Sequence, residues 1–112
     1  MQFAILMTTK DAAWAALTAA EQARVLDQHR EYTAALQAEG RFVTSWGMFP
    51  ASEGRTVNRD ASGSLTVREG PSTAADPVGG VYIIEAASMD EAVEWAKRGR
   101  FIPGDNEVRQ LQ

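Results

Sequence analysis

Cysteine is absent from this sequence of 112 residues, and histidine occurs once, as His29. Without cysteine the chain cannot form disulfide bonds, use a thiol nucleophile or hold a metal through thiolates. With only one histidine as well, we do not expect a transition-metal site.

Basic clusters and long apolar runs are also missing. The net charge is −4, and the 11 lysine and arginine residues are spread along the chain. Because phosphate binding needs a basic surface, we expect no nucleic-acid partner. The same acidity disfavours binding to a membrane surface, and no stretch approaches the length of a membrane-spanning helix.

The first ten residues contain a short apolar run without a basic start or a cleavage-like end. This pattern predicts a β-strand rather than a signal peptide, and we therefore expect a cytoplasmic protein. The length of the chain fits a single domain over residues 1–112.

Apolar alternation and helix-capping signals predict the order β-α-β, a hairpin, and β-α-β again. Thr18 and Glu21 have the spacing of a capping box at the start of a helix that Gly40 ends. Ser88 and Glu91 repeat this spacing before a second helix. The predicted strands are 2–8, 41–48, 55–60, 64–68, 78–86 and 106–111, and the predicted helical segments are a turn within 10–17, 18–39 and 89–98.

Two split βαβ units of this kind form an antiparallel sheet with both helices on one face, an α+β fold. The strands 2–8 and 78–86 are apolar on both faces, although two helices can cover only one. Covering a sheet face of some hundreds of Å² is worth roughly 10 kcal/mol. We therefore predict a homodimer that packs sheet against sheet about a two-fold axis.

Side-chain periodicity also predicts which residues share a face. In the strand 41–48, Phe42, Thr44 and Trp46 are expected on one face and Ser45 on the other. The inner face of the helix 89–98 is expected to consist of Met89, Ala92, Val93 and Ala96.

His29 lies on the predicted inner face of the first long helix. It shares that face with four residues: Val25, Tyr32, Thr33 and Leu36. A single imidazole among such neighbours is either a buried, hydrogen-bonded group or the acid/base of a small pocket. The sequence leaves both alternatives open.

Several motifs along the chain occur together in one known family. Glu69-Gly-Pro71 corresponds to an Asp-Gly-Pro-Phe signature, with glutamate for aspartate and Ser72 for phenylalanine. In their order and spacing the motifs resemble the YCII-related proteins, in particular their DGPF-motif branch. The other matching segments are 29–36 with its histidine, 47–50, Asp76, Gly79-Gly80, Tyr82, 90–92, 95–97 and 107–109.

The resemblance implies a ferredoxin-like fold that is assembled as a dimeric α/β barrel. A few relatives are enzymes, including one that acts on a chlorinated hydroxyquinol, and these use a histidine with an aspartate. In those enzymes the aspartate follows the second helix. Here that region is Lys97-Arg98-Gly99-Arg100-Phe101, with no acid before Asp105.

Five residues are the candidates for a site. His29 is the candidate general acid/base, and Asp76 could orient it, although an Asp-Pro turn explains Asp76 equally simply. Tyr32, Ser45 and Trp46 are the candidate ligand-binding residues. Tyr32 could hydrogen-bond His29 or only pack, Ser45 could bond a ligand or a backbone carbonyl, and Trp46 could instead lie in the core or a dimer interface.

We therefore expect a protein that acts on a small aromatic or polyketide-like molecule. The first hypothesis is a cofactor-independent enzyme of proton transfer, by elimination or isomerisation. The alternative is a non-catalytic dimeric module that binds a ligand or a regulatory protein. A third possibility, suggested by related dimeric barrels, is a monooxygenase that also needs no cofactor.

Overall fold

A computed structural model describes residues 1–72 and 76–112 of the chain. Three helices and six strands follow one another in nearly the predicted order, with an added 3-10 turn at Ala51–Glu53. The elements are β1 Gln2–Thr8, α1 Asp11–Ala15, α2 Ala19–Ala38, β2 Phe42–Gly47, β3 Arg55–Arg59, β4 Leu65–Glu69, β5 Val78–Glu85, α3 Met89–Arg98 and β6 Asn106–Gln110.

Four of the strands form one antiparallel sheet in the order β2-β5-β1-β6. The first and last strands of the sequence, β1 and β6, are neighbours in the sheet, and β5 lies between β1 and β2. This is the strand order of a ferredoxin-like fold made of two split βαβ units. The inserted β3–β4 hairpin is a separate two-stranded sheet. The predicted α+β, ferredoxin-like fold with an inserted hairpin is confirmed.

The start of α2 has the predicted capping box. The Thr18 hydroxyl accepts a hydrogen bond from the Glu21 amide at 3.1 Å, and the Glu21 carboxylate accepts one from the Thr18 amide at 3.3 Å. At α3 only half of the box forms, because the Glu91 carboxylate accepts from Ala87 rather than from Ser88. In both helices the N-cap hydroxyl accepts a hydrogen bond from the third amide, which helps to fix where each helix begins.

The hydrophobic core lies between the two long helices and one face of the sheet. Phe3, Ile5 and Ile84 of the sheet are fully buried there, together with Leu36 of α2. On α3 the buried residues are Ala92, Trp95 and Ala96. The predicted inner face of α3 was therefore wrong at Met89, which is 42% exposed, because the helix turns Trp95 inward instead.

The opposite face of the sheet is not covered by either long helix, and its apolar side chains are only partly buried by the residues that the structure describes. Ladder pairing places Leu6, Val81 and Trp46 in one row across β1, β5 and β2, and Ile83 lies in the next row. Leu6, Val81 and Ile83 are only partly buried. We call this surface the open face.

The β3–β4 hairpin also presents apolar side chains to solvent. Val57 and Val67 pair directly across it and are 63% and 67% exposed, and Leu65 is 64% exposed. An isolated two-stranded hairpin is marginally stable in water. Among the described residues, no helix is both long enough and apolar enough to cross a membrane.

Candidate functional site

A cavity of about 880 Å³ opens between α1, α2, the end of β2 and the segment that follows α3. Its walls are mostly apolar, which suits the body of a small organic molecule. The polar side chains that border it include His29, Thr33, Ser45 and Tyr82. The larger apolar residues of its wall include Trp14, Leu26, Met48, Phe49, Phe101 and Ile102.

His29 is held in this wall by two aromatic side chains. Its Nδ1 atom lies 2.9 Å from the Tyr82 hydroxyl oxygen. The edge of the Phe101 ring packs against the imidazole, with ring centroids 4.8 Å apart and planes at 89°. These contacts come from β5 and from the segment after α3, so the imidazole orientation is set by three parts of the fold.

The surroundings of His29 favour its neutral form. Burial is the larger cause and the positive charge of Arg100 the smaller one, and both lower the pKa of His29 below its ordinary value of 6.5. Burial also raises the pKa of Tyr82, although a hydrogen bond with the Thr33 side chain partly offsets that rise. At neutral pH the site therefore holds a neutral imidazole bonded to a protonated phenol.

The hydrogen bond with Tyr82 occupies Nδ1. The hydrogen bonds of the described residues include none at Nε2, which is the nitrogen that remains for a ligand. If Nδ1 donates to the phenol oxygen, Nε2 is an acceptor and can take a proton. If the phenol donates to Nδ1, Nε2 carries the hydrogen and can give one. The pair thus has the two states that general acid/base chemistry requires.

Tyr32 lies behind the cavity wall rather than in it. The Tyr32 side chain is buried, and its hydroxyl donates a 2.7 Å hydrogen bond to the Trp95 carbonyl oxygen. The Tyr32 ring packs edge-on against the Tyr82 ring, with ring centroids 5.0 Å apart. Burial raises the pKa of Tyr32 well above its ordinary value. Tyr82 rather than Tyr32 supplies the phenol that bonds His29, and the residues that line the cavity do not include Tyr32. A ligand-binding role for Tyr32 stays a prediction, without a contact in the cavity.

Ser45 and Trp46 both border the cavity at the end of β2. Ser45 pairs with Tyr82 and so shares its face of the sheet, whereas Trp46 pairs with Val81 on the open face. Trp46 is 59% exposed. Ser45 is therefore directed toward the His29 side, and the indole of Trp46 is directed toward the surface where a dimer is expected.

Asp76 is engaged away from His29. Its carboxylate forms an ion pair with Lys10 at 3.3 Å, and the hydrogen bonds of the described residues include none between Asp76 and His29. The charge near His29 is instead the cation of Arg100. The predicted orienting role of Asp76 stays a prediction without a direct contact.

Sequence reasoning did not assign roles to Tyr82, Phe101 or Arg100. The signal for Arg100 was the basic segment Lys97-Arg98-Gly99-Arg100, in the region where the resemblance led us to expect an aspartate. No such signal marked the Tyr82 hydroxyl, because its partner lies 53 residues away in the chain. In residues 1–72 and 76–112 no cluster of three or more histidine, aspartate or glutamate residues could hold a metal ion.

A search of solved structures finds a protein with the same fold. It is 5-chloro-2-hydroxyhydroquinone dehydrochlorinase from Burkholderia phenoliruptrix AC1100, in complex with 2,5-dihydroxybenzoquinone. The two chains are 18% identical and superpose with a TM-score of 0.53, over 100% of this chain and 94% of that one. At this identity the likeness shows the fold alone.

Two further comparisons bear on the family. Functionally curated proteins yield no match. The YCII-related domain, in contrast, matches residues 1–111, nearly the whole length of the sequence. That match and the shared fold agree with the motifs around His29 and Gly79-Gly80, and the chain belongs to the YCII-related domain family.

Proposed function

We propose that the protein acts on a small aromatic or polyketide-like molecule in the cavity, with His29 as general acid/base of an elimination or isomerisation. The observation that carries this proposal is the neutral imidazole that Tyr82 and Phe101 fix in an apolar cavity. A polar group held at the wall of such a cavity is typical of a reaction site.

The proposed elimination follows from the chemistry of the imidazole. With Nδ1–H donating to Tyr82, Nε2 takes a proton from a carbon or, on a phenolic ring, from a hydroxyl of the substrate. The electron pair of the broken bond becomes a new carbon–carbon or carbon–oxygen double bond, and the leaving group departs as an anion from an adjacent or conjugated tetrahedral carbon, which on a phenolic ring is the carbon protonated in the keto tautomer. An isomerisation returns the same proton to another carbon. Neither reaction transfers electrons to or from the protein, so neither calls for a cofactor.

The solved relative supports this reaction class. Its name describes loss of hydrogen chloride from a hydroxylated aromatic ring, and its bound molecule is a dihydroxybenzoquinone. A planar ring of that size fits a cavity of about 880 Å³ with aromatic walls. The identity of 18% leaves the substrate of this chain open.

One observation favours a second candidate, a module that binds a ligand without converting it. Asp76, the candidate orienting residue, is paired with Lys10 rather than with His29. The segment after α3, where the resemblance predicts the aspartate of the enzymes, has the basic residue Arg100 and no acid before Asp105. In a binding module, His29 and Ser45 would provide hydrogen bonds to the ligand and no proton would be transferred.

The assembly belongs to the same proposal. The open face carries Leu6, Val81 and Ile83 in partly buried positions, and the register adds the largely exposed Trp46. A second copy packed on this face would complete a dimeric α/β barrel by a closed two-fold contact. A single domain, a cytoplasmic location and membership in the DGPF-motif branch stay predictions.

The first experiment uses His29 as its own reporter, since it is the only histidine. The imidazole proton NMR signals are followed while 2,5-dihydroxybenzoquinone is added. We expect a saturable shift of these signals and of the His29 pKa. Unchanged signals at millimolar quinone would contradict the proposed ligand class.

A second measurement separates the two candidate functions. Chloride release from 5-chloro-2-hydroxyhydroquinone is compared in the wild type and in His29→Gln, alongside quinone binding followed by tryptophan fluorescence. An enzyme loses chloride release in His29→Gln while it still binds the quinone. Binding of the quinone by the wild type without chloride release favours the binding module.

A further inference from the structure

Arg100, in the segment between α3 and β6, has every one of its side-chain donors in a hydrogen bond. A guanidinium carries five N–H groups in one plane, and here all five acceptors are neutral oxygens. Nε donates to the carbonyl of Ile102 at 2.6 Å. The other four bonds, 2.8–3.1 Å long, go to the carbonyls of Thr8, Pro103 and Asp105 and to Asn106 Oδ1.

These bonds close the segment onto the end of β1. The acceptors on residues 102–106 are all local, whereas Thr8 lies 92 residues away in the chain. Thr8 and Asp105 add a reciprocal pair, because the Asp105 amide donates to the Thr8 hydroxyl at 3.0 Å and the Thr8 amide donates to the Asp105 carbonyl at 2.9 Å. The guanidinium is thus the centre of a network that fixes residues 101–106.

Gly104 shows how closely the segment is fitted to this guanidinium. A Cβ atom at Gly104 would overlap Arg100 Nη2 and would lie 3.1 Å from the Thr8 carbonyl oxygen, and the φ angle of Gly104 is +143°. Only glycine leaves room for the guanidinium here.

The same segment carries the wall that covers His29. Phe101 follows Arg100 directly in the sequence. Its ring packs edge-on against the imidazole, with ring centroids 4.8 Å apart, and also against the Tyr32 ring, with centroids 6.0 Å apart. Phe101 and Ile102 both border the cavity. The position of Phe101 against His29 therefore depends on whatever fixes residues 101–106.

We propose that Arg100 is a positioning residue of the His29 site, which acts by tying residues 101–106 to β1 and so holding Phe101 against the imidazole. The inference rests on the proposed acid/base role of His29, since positioning matters where proton transfer needs a fixed ring. This positioning role is distinct from the effect of the positive charge of Arg100 on His29. A lysine ammonium at the same place would supply the charge but could not form the five hydrogen bonds.

The charged and titratable groups around His29 are few. Tyr82 faces it from β5 and Arg100 from the segment after α3. Arg30 on α2 and Asp11 on α1 border the same cavity. The hydrogen-bond acceptors of Arg100 include no carboxylate. Burial lowers the pKa of Arg100, and the charges of Asp105 and Asp76 partly oppose that shift, so these two carboxylates also belong to the charged surroundings of the site. Burial remains the larger cause of the lowered pKa of His29, and Phe101 contributes to that burial.

The test measures the His29 pKa by NMR in the wild type and in four variants. Arg100→Lys keeps the charge and loses the five-bond geometry, Phe101→Ala removes the covering ring, and the third variant combines both. Arg98→Lys is the matched control, because Arg98 stacks on Trp95 at 4.1 Å and does not bind the segment. Thermal unfolding of each variant confirms that it is folded.

We expect Arg100→Lys and Phe101→Ala each to raise the His29 pKa toward 6.5, because water reaches the imidazole. In the combined variant the His29 pKa should rise no further than in the single variant with the larger effect, since both substitutions act through Phe101. Arg98→Lys should leave the pKa unchanged. A folded Arg100→Lys protein with the wild-type His29 pKa and wild-type Phe101–His29 contacts would overturn the proposal.

A measurement on the wild-type protein tests the proposal even if the variants do not fold. A guanidinium held by five bonds rotates slowly, so the Nη protons of Arg100 should give separate NMR signals. One averaged Nη signal would also overturn the proposal.

The quinone titration keeps the two proposals apart. A pKa rise in Arg100→Lys with no response of the wild type to quinone supports the positioning role and contradicts the proposed function. If the wild type responds to quinone but the His29 pKa is unchanged in Arg100→Lys, the result supports the proposed function and contradicts the positioning role of Arg100.

Discussion

The Nδ1 atom of His29 on α2 and the hydroxyl oxygen of Tyr82 on β5 are 2.9 Å apart, and their rings are nearly parallel at 13°. This hydrogen bond joins the helix layer to the sheet at the wall of the cavity. It decides which imidazole nitrogen is left for a ligand, and so it is the contact on which the proposed chemistry depends.

Replacement of Tyr82 by phenylalanine should release Nδ1. We expect a loss of about 1 kcal/mol in the free energy of unfolding, as for one hydrogen bond, and a change in the ¹⁵N chemical shifts that report the His29 tautomer. Chemical denaturation and ¹⁵N NMR measure the two effects.

Tyr32→Phe is the matched control for that prediction. It removes one phenol hydrogen bond of similar length, from Tyr32 to the Trp95 carbonyl at 2.7 Å. Its cost in stability should be comparable, while the His29 tautomer signals stay as in the wild type. Equal changes of these signals in both variants would show that Tyr82 has no special relation to the imidazole.

The pH dependence of stability should carry a contribution from His29. Its pKa in the folded state lies below 6.5, so the unfolded state binds more protons as the pH falls through that range. The contribution is complete above pH 6.5 and is lost as the pH falls toward and through the folded-state pKa. The carboxyl groups with lowered pKa, such as Asp11 and Glu85, have ordinary values of 3.8 and 4.5 and act at lower pH.

His29→Gln isolates this contribution. The free energy of unfolding is measured by urea denaturation at several pH values between about 7.5 and 5. We expect the wild type to lose stability over this interval more steeply than His29→Gln. Parallel curves would mean that the imidazole is protonated equally easily in the folded and unfolded states.

Gly99, at the end of α3, should not tolerate a side chain. A Cβ atom there would lie 2.7 Å from Cζ of Tyr32 and 3.0 Å from its hydroxyl oxygen. The Tyr32 ring is held by Trp95 and Phe101 and cannot move away freely. We expect Gly99→Ala to cost about 1–3 kcal/mol, as overpacking in a core does.

Gly47→Ala supplies the comparison for Gly99→Ala. A Cβ atom at Gly47 meets nothing within 4 Å, so urea denaturation should show little change in its stability. If Gly99→Ala is as stable as Gly47→Ala, the Tyr32 ring is less firmly held than its contacts indicate.

Local patterns predicted the elements well because their causes are local. The capping box of Thr18 and Glu21 needs only neighbouring residues, and it formed as expected. The predicted alternation of side chains in β2 was wrong at Phe42, because the strand has a register shift between Phe42 and Thr44. Phe42 pairs with Ile84 and Thr44 with Ile83, so Phe42 packs against the core while Thr44 and Trp46 follow the open face.

The site was harder to predict because its contacts join distant segments. The stripe of α2 placed His29 toward the interior, but the sequence could not show that Tyr82 rather than Tyr32 would meet it. That choice depends on the register of β5, where Gly79 is an extra residue between the pairs Met7–Gly80 and Thr8–Val78. Such shifts carry no periodic signal.

The open face gives the last prediction, which concerns assembly. Val81 lies in its central row, between Leu6 and Trp46. We expect the wild type to sediment at micromolar concentration with twice the chain mass of 12.2 kDa, because a dimer removes this apolar row from water.

Val81→Glu should shift that equilibrium to the monomer, because it places unpaired carboxylates in the interface. Met89→Glu is the control on the helix side of the sheet, at the start of α3 and 42% exposed. A negative charge is favourable at a helix N-terminus, so this variant should remain a dimer. A wild type that sediments as a single chain at this concentration would contradict the dimeric barrel.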